Sequence, residues 1–98
     1  MNQFQQLVAH LKENCPIRNH RLVIRRVNMN DSGCTESSDS GQQITISIRK
    51  QDIVEKQMET VIHEWGHALE YDRWPDHGKR WGECYAESYQ AWEVWHVS

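Results

Sequence analysis

A chain of 98 residues has room for one compact domain, so residues 1–98 are read as a single unit. Its 38 % apolar and 26 % charged residues are ordinary for a globular protein, and a formal charge of −3 argues against direct nucleic-acid binding, which would call for a basic face. No run reaches membrane-spanning length, and the polar, amphipathic N-terminal segment lacks the apolar stretch of a signal peptide.

Residues 2–14 are expected to form a helix, because Phe4, Leu7, Val8 and Leu11 fall on one face; Pro16 ends it. Residues 20–29 carry the β-rich run Leu22, Val23, Ile24 and Val27 and read as a strand. Residues 30–42 are turn formers throughout and read as a long loop. In residues 43–49, Ile44, Ile46 and Ile48 alternate with Thr45, Ser47 and Arg49, the pattern of a half-buried strand, expected antiparallel to the first. Asp52 and Glu55 have capping-box spacing at the start of a helix over about 53–72. Its apolar stripe is Val54, Met58, Val61, Ile62, Trp65, Ala68 and Leu69. A loop over 73–78 leads to a last helix from about Lys79 to Trp95, on which Trp81, Tyr85, Tyr89 and Trp92 recur at helical spacing. Of the five tryptophans, four fall between Trp74 and Trp95, and this run is expected to wall both the core and the site.

The chemistry sits in His63-Glu64-Trp65-Gly66-His67. Residues four apart on a helix lie one turn apart on the same face, so both imidazoles can reach one metal ion. Glu64 is about 100° further round, poised to act on a water rather than to ligate. The histidines lie opposite the Val61, Trp65, Leu69 stripe, so the helix can pack on one side and offer the other to a cleft. The blander reading is that Lys56, Glu59, Thr60, His63, His67 and Glu70 are simply its wet face. A catalytic zinc site needs a third protein ligand. His77 is the first choice, with Glu83 and Glu87 as alternatives and His10, His20, His96 or Cys84 behind them. Gly66, inside a helix at a cost of about 1 kcal/mol, is expected to admit another backbone closely.

His63-Glu64-x-x-His67 followed by His77-Gly78-x-x-Trp81 and Gly82-x-x-Tyr85-Ala86 resembles the SprT-like (Spartan-type) metallopeptidases, above all the small forms of bacteria and phages. The resemblance spans about residues 43–92. It implies an α+β, minimal zincin-like domain with an N-terminal helix, a short antiparallel sheet, an active-site helix and a C-terminal helix. It also implies a Zn2+ cofactor held by His63, His67 and His77, with Glu64 catalytic. The chain departs from larger members in its short gap between the second and third histidines and in lacking a C-terminal zinc ribbon and basic tail. DNA association is therefore not expected.

The expectation is a zinc-dependent peptidase acting on a protein or peptide substrate. Glu64 serves as general base, and strand 43–49 offers an edge for an extended substrate. Glu83 and Glu87 could instead orient a ligand histidine, and Tyr85 or Tyr89 could stabilise the oxyanion, although helix glutamates and packed tyrosines are more often structural. Specificity is expected from a partner protein or from the loop 30–42. The rival classes are a zinc-binding regulatory module without turnover and a closed structural zinc site. Cys15, Cys34 and Cys84, odd in number and without a Cys-x-x-Cys pair, point to a reducing, cytoplasmic setting.

Overall fold

The computed structural model describes residues 2–38, 40–73 and 81–97. It is an α+β domain in which three helices pack with a three-stranded sheet. Helix α1 (Gln3–Asn14) starts at Asn2, whose side chain accepts from the Gln5 N–H at 2.8 Å while the Gln5 side chain accepts from the Asn2 N–H. This reciprocal cap satisfies two otherwise orphaned donors. Phe4, Leu7 and Leu11 are buried and Val8 half-buried, as the helical period requires.

Strand β1 (Arg21–Val27) follows, then β2 (Gly33–Ser37) and β3 (Gln43–Arg49). The order is β1-β3-β2. Two expectations are corrected here. The segment 30–42 is not all loop, because Gly33–Ser37 pairs antiparallel with β3. The two strands foreseen from the sequence pair in parallel, Leu22 beside Ile44 and Ile24 beside Ile46. The β2–β3 connection closes through the Gly41 N–H to the Ser38 carbonyl at 2.8 Å, with Gly41 at φ 70°, a conformation that favours glycine. β3 thereby becomes the central strand, and β2 takes the edge position that the sequence reading gave to residues 43–49. Ile44, Ile46 and Ile48 are fully buried. The partly buried Leu22 and Ile24 join them on the same face of the sheet.

Helix α2 (Val54–Arg73) crosses this apolar face. Its foreseen capping box does not form. One Asp52 carboxylate oxygen takes the Arg49 guanidinium at 3.0 Å and the other is buried without a partner, so Asp52 is spent on the end of β3. Gln57 instead holds this turn, donating to the Asp52 carbonyl at 2.8 Å. Trp65 is wholly buried at the centre, and its indole N–H donates to the Cys15 carbonyl at 2.9 Å, tying α2 to the end of α1. A buried indole needs such an acceptor.

Helix α3 (Trp81–Val97) packs along α2 on small residues. Cys84, Ser88 and Ala91 form its buried face, and the Ser88 hydroxyl donates to the Ile62 carbonyl at 3.0 Å. At Gly66 an added Cβ would stand 3.0 Å from the Tyr85 Cα, the close backbone approach that the glycine implied. The aromatic run borders the core, with Tyr85, Trp92 and Trp95 packed against it as expected. Trp81, Tyr85 and Trp92 are half-buried and Tyr89 is exposed, so they flank the core rather than fill it. No helix among the described residues is long and apolar enough to cross a membrane.

Candidate metal and active site

The packing of α2 divides its surface as the sequence pattern requires. Val61, Trp65 and Leu69 face the core, whereas His63 is exposed and His67 half-buried on the other side. The two imidazole centroids are 5.2 Å apart with ring planes at 70°. Two imidazoles sharing one tetrahedral ion through bonds of about 2.0–2.1 Å would have centroids roughly 5 Å apart, and the observed separation is of that size. Burial lowers the His67 pKa below the ordinary histidine value, with Glu64 and Glu70 opposing and His63 adding to the depression. A neutral imidazole is the form that ligates.

Glu64 is 7 % exposed. The Thr35 hydroxyl donates to its Oε1 at 2.8 Å, with the Glu64 carbonyl at 3.1 Å as a second acceptor. Its Oε2 lies 3.9 Å from His63 Nε2. Ser32, Gly33, Thr60, His63, Glu64 and Tyr85 are among the residues that line a cavity of about 370 Å3 here. Gly33 lets β2 approach so closely, because a Cβ there would stand 2.5 Å from the Thr60 methyl and 3.1 Å from Glu64 Cγ. Strand β2 thus both orients the glutamate and forms one rim of the cavity. Neither Thr35 nor Gly33 was foreseen. A Thr two residues after a Gly is a weak strand signal, and nothing in the sequence pairs it with Glu64.

Trp81 packs against both histidines. Its ring lies 4.9 Å from that of His63 and stacks on His67 at 5.2 Å and 29°. Tyr85 stacks on Trp81 at 5.0 Å and stands 5.8 Å from His63, which leaves Tyr85 at the cavity and puts Tyr89 one ring further away.

His77, with the rest of the loop from Trp74 to Gly78 and with Lys79 and Arg80, lies outside the described residues. Among the described residues, no three His, Cys, Asp or Glu side chains gather as a metal site. Three of the six alternative third ligands are engaged elsewhere. Glu87 makes a two-pronged ion pair with Arg73, at 2.6 and 2.9 Å. His10 Nε2 lies 2.8 Å from the Ala91 carbonyl, and His20 Nδ1 lies 2.9 Å from Asp72 Oδ1. Cys84 is buried, and that burial raises its thiol pKa. Glu83 is exposed in the first turn of α3, and the His96 side chain lies outside the described set. Searches against protein-family models, curated proteins and solved structures found no match to this chain.

Proposed function

We propose that this protein is a zinc-dependent metallopeptidase on a minimal zincin-like fold of the SprT-like kind. His63, His67 and His77 hold the metal, and Glu64 is the general base. The observation that carries the reading is the half-committed Glu64 carboxylate, pinned at Oε1 by Thr35 and lining a cavity beside two imidazoles with metal-sharing spacing. A structural metal site would have no use for such a group. Trp81, four residues after His77 in sequence, packs on both rings, which supports His77 as the third donor. Zinc, when bound, supplies Lewis acidity to a water and to the scissile carbonyl.

The chain's own residues account for the remaining steps. Glu64 Oε2 takes the proton of the attacking water and returns it to the leaving amine, while Thr35 holds the carboxylate in that orientation. Edge strand β2 presents backbone groups to an extended substrate, the role the sequence reading assigned to residues 43–49. Tyr85 lines the cavity beside His63, and it is the residue assigned to support a developing oxyanion. The test is cleavage of an unstructured polypeptide by zinc-loaded protein beside Glu64→Gln. The variant should keep its zinc and lose roughly 10²–10⁴-fold in rate; undiminished cleavage would remove Glu64 from the mechanism.

A further inference from the structure

A second cavity, of about 410 Å3, opens between the first turns of α2 and the last turns of α3 and is lined by Gln3, Glu55, Met58, Glu59, Trp92 and Trp95. We propose that it binds a lysine or arginine side chain of an extended polypeptide, as a specificity subsite of the peptidase site; the subsite role, though not the pocket, rests on that reading.

The chemistry of the lining selects the ligand. Glu55 and Glu59 are exposed and one helical turn apart, so their carboxylates share a face. Trp92 and Trp95, three apart on α3, are half-buried with part of each ring against the core. Met58 is 8 % exposed and forms an apolar floor. Apolar walls beneath an anionic rim suit a side chain with an aliphatic stem and a cationic head. The stem lies along the indoles and the methionine, while the head meets the carboxylates and an indole face. No Lys or Arg of the described residues lines this cavity, whereas Lys56 lines the one at Glu64.

Position ties the pocket to the candidate active site. Glu59 lines both cavities, and His63 follows it by one turn on α2. Eight residues of helix from Glu55 to His63 span about 12 Å, the reach of three or four residues of extended chain. On α3 the rings of Tyr85, Tyr89 and Trp92 bridge the same stretch, with centroids 6.0 and 5.4 Å apart.

The test uses full-length Glu64→Gln protein and blocked hexapeptides carrying Lys, Arg, norleucine or Glu at each position in turn. Binding is read from tryptophan fluorescence. At one position Lys or Arg should tighten binding about fivefold to tenfold over norleucine, with Glu weakest. Glu55→Gln/Glu59→Gln should erase that advantage, so that the lysine peptide binds no more tightly than the norleucine peptide. Trp92→Leu should weaken both the lysine and the norleucine peptide. Equal binding of lysine and norleucine peptides at every position, or an advantage that survives the double substitution, would overturn the pocket. Cleavage by the wild type without any such preference would overturn the pocket alone. A lysine advantage in a protein that cleaves nothing would support the pocket and refute the peptidase.

Discussion

Helix α2 carries two histidine–carboxylate clusters two turns apart, built in opposite ways. At its C-terminal end Asp72 is 4 % exposed and accepts from the Arg18 N–H at 3.0 Å and the Asn19 N–H at 2.8 Å, with His20 Nδ1 at 2.9 Å. The Asn19 amide also donates to the Asp72 carbonyl at 3.0 Å. Both carboxylate oxygens are committed, and the group staples the segment before β1 onto the helix. Glu64 is almost as buried, yet only its Oε1 is fixed, and the residue lines a cavity. Two buried carboxylates on the same helix thus yield a fastener in one place and a candidate base in the other. The difference lies in how many lone pairs the fold has already used.

The largest expected effect on chemistry is that of Glu64→Gln, and the largest on stability is that of Asp72→Ala. Removing Asp72 strands two backbone N–H groups and should cost about 3 kcal/mol in urea unfolding, with turnover per folded molecule retained. A loss of turnover in protein that is still folded would mean that the closed cluster also serves the site. Thr35→Val keeps the shape of the side chain and removes the hydroxyl. It should lower kcat about tenfold with KM little changed, at a stability cost of about 1 kcal/mol. An unchanged kcat would show that Glu64 needs no orienting.

The smallest effect is expected at the Arg73–Glu87 pair. Its hydrogen bond from Arg73 holds the Glu87 carboxyl below the ordinary value of 4.5. A folded-state pKa that is depressed stabilises the protein above the unfolded value, and that stabilisation is lost as pH falls through the folded one. Both side chains are at least a third exposed, at 34 % and 40 %, so solvent screening holds the contribution below about 1 kcal/mol. Glu87→Gln should therefore lower stability slightly at pH 7 and leave it unchanged at pH 3, as read from thermal unfolding at the two pH values.

The parts of the molecule legible in the sequence are those governed by short-range periodicity. The faces of α1, β3 and α2 follow from residue spacing, and so do the shared face of His63 and His67 and the tight contact at Gly66. What escaped depends on pairing across the chain. Cys34-Thr35-Glu36 has too little apolar alternation to announce a strand, and only β3 makes it one. Strand direction is set by the route of the chain through 28–42, not by the residues of β1 or β3, so the parallel pairing could not be read. Asp52 had the spacing of a cap but found Arg49 first. The tryptophans and tyrosines of α3 have core periodicity, yet the small face of Cys84, Ser88 and Ala91 packs closer to α2 and leaves Tyr85, Trp92 and Trp95 lining cavities. Thr35, the residue that separates the open cluster from the closed one, was hidden by the same missing strand.

The central claim is an open, three-histidine zinc site, and elemental analysis tests it most directly. Purified wild type, His63→Ala and His77→Ala would be loaded with zinc, exchanged into metal-free buffer and measured for zinc per chain. The account predicts one zinc in the wild type and its loss or marked weakening in both variants. Zinc retained in full by His77→Ala, or none held by the wild type, would contradict it.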